Sequence, residues 1–277
     1  MIKTYKPTSE GLRTRKTLVK GVDDVRPLKS LTKGKNATAG RVRGKITSRH
    51  KQRGAKKLYR IIDFKRDKYD IPAKVVSIQN DPNRGPNIAL LSYADGEKRY
   101  IIAPEGLEIG TTVMSGGSAD IAVGNSVPMS KIPLGMSIHN IEINPKAGAR
   151  LCRGAGNQAQ IIAKEGEYVN VKLPSGEVKR IRSVCYATIG VIGNADKRNI
   201  DLGKAGRKRY LGRRPHVRGV AMGDPHRDHP HAGKYGTSGI GMVAPVSPWG
   251  WKTKGVKTRK RAKTDYTIVS RRKGKKK

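Results

Sequence analysis

Strand-length runs rich in Ile, Val and Tyr crowd into one stretch of this chain, Leu58 to Gly193, and nearly all paired apolar runs fall inside it. LYRIIDF, KVVSIQ, NIALLSY, KRYIIAP, SIHNIEI, AQIIAK, YVNVKL, EVKRIRS and YATIGVI each suit a strand. Alternation is clear where Val169, Val171 and Leu173 share one face and Asn170 and Lys172 the other. Asp95-Gly96, Glu165-Gly166 and Ser175-Gly176 fall between such runs as hairpin turns. Strands this short, closely spaced and free of intervening helical patterns predict a mainly β fold of small antiparallel barrels, not a parallel sheet. Pro128, Pro133 and Gly135 interrupt the series and set a boundary near residues 125–130.

The rest of the chain has little to bury. Only 35% of the 277 residues are hydrophobic and 5% aromatic, with one Phe, Phe64, so the whole chain cannot share one core. Lys and Arg number 59 against 21 acidic residues, a net charge of +38 that demands a polyanion. Gly34 to Lys57 belongs to a basic arm that is expected to order on RNA rather than form a solvated tail. After Gly193 the β pattern stops. A short basic helix is predicted over Lys204 to Leu211, ended by Gly212 and Pro215, followed by a loop rich in His and Gly and a basic tail beyond Trp251. Cys152 and Cys185 lack C-x-x-C spacing and read as reduced thiols of a cytosolic protein. No apolar run is long enough to span a membrane, and MIKTYKPTSEG has no apolar signal core.

Gly212 to Gly233 is the densest stretch chemically, holding four of the six histidines: His216, His226, His229 and His231. Its Gly and Pro content excludes a regular helix or central strand, and a loop so irregular is expected to be shaped by a partner. Lysines and arginines on phosphates release counterions, and guanidinium forks add bidentate and stacking contacts. Candidate RNA contacts are Arg41, Arg43, Arg49, His50 and Arg53 in the arm, and Arg60, Lys65, Arg66, Arg84 and Arg153 in the barrels. Beyond them come Lys204, Arg207, Arg209, Arg213, Arg214, Arg218, His229 and His231, then Trp249, Lys254 and Lys257. Trp249 and Trp251 flank a glycine; they either stack on bases or pin the tail to a barrel.

The cluster from Asp224 to His231 admits three readings. One is a Zn or Mg site near Asp228, His229 and His231, and another is acid–base chemistry. The third has these side chains hydrogen-bonding phosphates, sugars or the loop's own backbone. The spacing does not match H-E-x-x-H, and Arg227 sets a cation in the middle, so the third is expected, with no resident cofactor and no catalytic residue. A zinc-dependent RNA hydrolase would need further ligands from the barrels, where His139 is the one histidine between residues 51 and 215. A histone-like condenser fits less well, because barrels with arginine-rich loops imply specific binding.

KPTSEG, YRIIDFKRD (Tyr59 to Asp67), DPNRGPNIAL (Asp81 to Leu90), DGEKRYIIAP (Asp95 to Pro104), GKAGRKRYLGRRP, VRGVAM, DHPH and SPWG together resemble the large-ribosomal-subunit protein L2 family, of bacterial or organellar type. The resemblance covers nearly the whole chain. It implies a basic arm over 1–59, an OB-fold over 60–125, an SH3-like barrel over 126–197 and a basic extension over 198–277. It further implies a primary binder of 23S-class rRNA, needed for subunit assembly and association, in a cytoplasmic or organellar ribosome. Other ribosomal proteins, and the small subunit through an intersubunit bridge, are the implied partners, with no membrane. The DHPH loop would lie toward the peptidyl-transferase region. Family members have been proposed to help peptide-bond formation there through the histidine matching His229, the chemistry being the RNA's.

Three departures stand out. Where the family usually reads Met-Asn-Pro-Val-Asp-His, this chain has Met222 and five residues before Asp228, two more than usual. After DHPH the usual glycines give way to Ala232, Gly233, Lys234 and Tyr235. The arm reads Arg49-His50-Lys51-Gln52-Arg53-Gly54-Ala55-Lys56 in place of Arg-His-Arg-Gly-Gly-Gly-His-Lys.

Overall fold

The computed structural model describes residues 2–19, 22, 25–34, 38–233, 244–256 and 262–271. The chain divides into two compact units, Met1–Asn36 with Lys56–Lys204 and Lys263–Lys277, and Ala37–Ala55 with Ala205–Ala262.

The first unit is built on two antiparallel sheets. In one, β1 (Ala73–Gln79), β2 (Ile88–Tyr93), β3 (Lys98–Ile102) and β4 (Thr112–Val113) run in the order β4-β1-β2-β3. A register shift between Val75 and Ser77 in the β1–β2 pair bends the sheet toward closure. The central strand β2 carries apolar residues at successive positions because both its faces are covered. Ala89 and Leu91 pack with Val75 and Ile101 on one side, and Ile88 and Leu90 with Tyr100, Ile102 and Ile192 on the other. The buried Tyr100 hydroxyl donates to Gln79 Oε1 at 3.0 Å and accepts from the Leu28 N–H at 3.1 Å, so its burial leaves no polar atom stranded.

The other sheet contains β5 (Ser126–Pro128), β6 (Ser137–His139), β7 (Ala159–Glu165), β8 (Tyr168–Lys172), β9 (Val178–Arg182), β10 (Tyr186–Ile189) and β11 (Ile268–Ser270). Their order is β5-β10-β6-β7-β8-β9-β11. Val127, Ile138, Ile161, Val169, Val171 and Ile189 belong to its core, supplied by the inward faces of β5, β6, β7, β8 (both Val169 and Val171) and β10. Asn170, expected on the outer face, is itself buried, with its Nδ2 donating to Glu165 Oε1. The turns after Tyr93 and Leu173 close as predicted: the Gly96 N–H donates to the Tyr93 carbonyl at 2.9 Å and the Gly176 N–H to that of Leu173 at 2.8 Å.

Two features depart from the sequence reading. The region beyond Trp251 reads as basic tail, yet Ile268–Ser270 adds an edge strand to β9, with Val178 opposite Ser270 and Lys179 opposite Ile268. Three β-branched or small residues inside a charge run are too short a signal to stand out. The arm also pairs with itself and with the start of the first apolar run. Ile2–Thr4 lies against Lys16–Leu18, and Thr32–Gly34 against Leu58–Arg60, through backbone ladders that need no core of their own.

Candidate nucleic-acid interface

The second unit joins two distant pieces of chain by backbone atoms. In the arm, Arg41–Val42 pairs with Lys45–Ile46 around Arg43 (φ 48°) and Gly44 (φ 77°), the left-handed pair that a tight hairpin turn requires. The predicted basic helix forms over Ala205–Tyr210. Its C-terminal carbonyls, which lack partners inside the helix, are taken by the arm. The Ala55 N–H donates to the Tyr210 carbonyl at 2.9 Å, the Gln52 N–H to that of Gly212 at 3.0 Å, and Gln52 Nε2 to that of Arg209. In return the Arg214 N–H donates to the His50 carbonyl at 3.0 Å. The approach is close enough that a Cβ at Gly54, where φ is 72°, would lie 2.5 Å from the Tyr210 oxygen.

Because main chain and the Gln52 amide make these joints, most cationic side chains are left outside. Arg41, Arg43, Arg49, Arg53, Arg209, Arg213, Arg214 and Arg218 are all exposed, and Arg207 is half-buried. Residues 37–55 and 205–262 carry twenty Lys and Arg against two acidic residues, Asp224 and Asp228. The His50 ring meets the His216 ring edge-on at 4.4 Å between centroids. Partial desolvation, then His216 and Arg49, hold His50 below the ordinary histidine range.

The histidine loop is folded on itself. Asp224 Oδ1 accepts the N–H groups of His226 (2.8 Å) and Arg227 (3.3 Å), and its carbonyl accepts that of Asp228 at 3.0 Å, so the additional residues close as a turn. Arg227 Nε donates to Asp228 Oδ1 at 3.0 Å, and this bond holds the Asp228 carboxyl below its usual range. His229 Nδ1 accepts the His231 N–H at 3.1 Å, and His231 Nε2, in a buried ring, accepts the Val246 N–H at 2.9 Å. The His229 ring lies so close to Gly219 that a Cβ there would come within 2.6 Å of it. Among the described residues no three His, Cys, Asp or Glu side chains are placed to hold a metal ion. Two of the loop's imidazoles thus accept backbone N–H groups, His229 from within the loop and His231 from Val246 beyond it.

The barrel residues fall into three groups. Arg66, expected on RNA, is turned inward. It is buried, Nη1 donates to the Gly124 carbonyl at 3.2 Å and Nη2 to that of Met114 at 3.4 Å, and Ser115 Oγ donates to its carbonyl at 2.9 Å. Its charge serves the chain's own carbonyls, which motif reading cannot see because every arginine carries the same fork. Arg84 Nε binds Asp81 Oδ2 at 2.7 Å, Arg60 Nη1 stands 4.0 Å from Asp81 Oδ1, and the Arg84 guanidinium lies 5.5 Å over the Tyr59 ring. Lys65 and Arg153 are exposed along an open groove of about 800 Å³, where the Arg153 guanidinium stacks 4.6 Å over Phe64. The same groove brings in Arg150, which the sequence reading missed, and Arg99, bound to Asp63, Asp67 and Glu97.

Lys204 and Lys254 are exposed. Trp249 and Trp251 are 72% and 76% exposed, and the Arg49 guanidinium lies 5.0 Å over Trp249. Lys257, Lys234, Tyr235 and the charged runs 257–261 and 272–277 lie outside the described residues.

The exposed arginine forks and aromatics of the second unit have the chemistry that suits phosphate and base, the two faces of a nucleic acid. The family model for Ribosomal Proteins L2, RNA binding N-terminal domain, matches residues 28–115, a span that contains all of β1 to β4. The model for Ribosomal Proteins L2, C-terminal domain, matches residues 122–250, from β5 through the helix and histidine loop to Trp249. Its two barrels are thus the OB-fold and the SH3-like domain of those models. The chain belongs to the ribosomal protein L2 family, RNA-binding structural proteins of the large ribosomal subunit.

Proposed function

We propose that this protein is a primary ligand of 23S-class rRNA that acts in large-subunit assembly and subunit association and supports the peptidyl-transferase region without catalysing the reaction. The supporting observation is the unit of 37–55 and 205–262, where backbone bonds join arm to helix and cationic side chains project outward against only two acids. Domains would run over 1–59, 60–125, 126–197 and 198–277. The exposed arginines of the second unit, with Lys65, Arg153, Lys204 and Lys254, are the contacts we assign to RNA; Arg60 and Arg84 reach it with Asp81 already bound. Other ribosomal proteins, and the small subunit through a bridge, complete the partners, in a cytoplasmic or organellar ribosome.

His229 enters this reading as a contact. Its Nδ1 accepts the His231 N–H, which leaves the ring proton on Nε2 to donate to a phosphate or 2′-hydroxyl oxygen. His229→Gln therefore removes a hydrogen bond of about 1–3 kcal/mol. Incorporation of the protein into particles falls, while peptide-bond formation in particles that do assemble stays near normal in a single-turnover assay. A drop of about a hundredfold in the chemical step at full occupancy would move the reading to catalysis.

A further inference from the structure

The segment Pro245–Thr253 is a hairpin whose tip is two indoles. The Ser247 N–H donates to the Trp251 carbonyl at 2.8 Å, the Gly250 N–H to that of Ser247 at 2.9 Å, and the Thr253 N–H to that of Pro245 at 2.8 Å. Val246 and Lys252 bridge antiparallel beneath the tip, and Ser247 Oγ accepts the Trp251 N–H at 3.2 Å. Its base is fixed by the buried His231 ring, whose Nε2 accepts the Val246 N–H at 2.9 Å. Every bond here serves to hold a turn rigid, yet the turn presents its two largest apolar side chains to solvent at 72% and 76% exposure. Arg49 lies over one face of Trp249 at 5.0 Å, and Lys252 and Lys254 are exposed beside it. Residues 244–256 contain no acid.

We propose that Trp249 and Trp251 form a stacking platform for unpaired nucleotides of single-stranded RNA, with Arg49, Lys252 and Lys254 on the adjoining phosphates and His231 as the positioning residue of the hairpin. This rests on the rRNA reading and names the part of the RNA that this hairpin takes. Paired bases have their faces occupied by their neighbours; an unpaired base offers a free face to an indole. The guanidinium on one side of Trp249 completes a three-layer stack of arginine, indole and base. Rigidity matters because a preformed platform loses little conformational freedom on binding. The surrounding charge selects a polyanion rather than a neutral apolar partner.

The chain contains two tryptophans, so all of its indole emission comes from this hairpin. Full-length protein is titrated with oligouridylate and with an RNA duplex of equal phosphate number, reading emission and affinity together. Quenching by the single strand and little by the duplex is the expected result. Trp249→Ala weakens single-strand binding by about fivefold to a hundredfold and leaves duplex binding unchanged, Trp249→Phe restores most of it, and His231→Ala reduces the quench. Both tryptophans are exposed, so circular dichroism of their variants stays that of the parent. RNA binding at full affinity with unaltered emission, or Trp variants equal to the parent on the single strand, overturns the platform and leaves the rRNA reading standing. Failure to bind either RNA overturns both.

Discussion

His139 sits in β6 with Nδ1 donating to the Gly190 carbonyl at 2.9 Å and Nε2 without a hydrogen-bond partner among the described residues. Burial pushes it down to about 4 from an ordinary value near 6.5. Between those two values the unfolded chain binds a proton that the folded chain refuses, so stability is whole above about pH 6.5 and declines as pH falls toward about 4. The contribution is at most about 3 kcal/mol. Urea midpoints at pH 7, 6 and 5 should fall more steeply for the parent than for His139→Gln; parallel profiles would remove His139 as the cause. Sequence could place this histidine in a strand but not say which way it faced. Arg66 and Arg153 raise the same difficulty: both read as cations for RNA, and only the fold separates the guanidinium bound to Gly124 and Met114 from the one stacked on Phe64 in an open groove.

Elements built from side-chain patterning were legible, and those built from backbone pairing were not. All nine apolar runs contain strands, and the basic helix lies within its predicted span, because alternation and capping residues are written in side chains. β4, β5 and β11 are two or three residues long and too brief for any period to register. The pairing of the arm with the helix is fully hidden, since the N–H of Ala55 and the carbonyl of Tyr210 are the same groups in any residue. An arm read as ordering only on RNA thus has bonds of its own. Gln52, whose Nε2 donates to the Arg209 carbonyl, and Gly54 are the residue types that mark that joint. In Gly54→Ala the added methyl meets the Tyr210 oxygen and the backbone must leave φ 72°, so amide exchange at Gln52 and Ala55 should accelerate while β1 to β3 keep their protection. Unchanged protection at Ala55 would mean the joint tolerates a Cβ and is looser than its geometry.

For the whole molecule, a net charge of +38 makes solution behaviour a matter of counterions. Affinity for large-subunit rRNA fragments should fall with log salt by about 0.7–0.9 per phosphate contact, and six to ten contacts would cost about a thousandfold or more between 50 and 200 mM. A flat profile over that range would refute the electrostatic mode. The second unit also imposes a schedule. Gln52 and Arg209, bonded to each other, are 157 residues apart in the chain. At about 5–20 residues per second of synthesis, the tip of the arm is made roughly 10–30 s before the helix that it holds. During translation the β1–β4 barrel has its full sequence well before that helix exists, while the arm carries its arginines uncommitted. Among the first parts of the polypeptide to be made, the arm's tip is among the last to be finished.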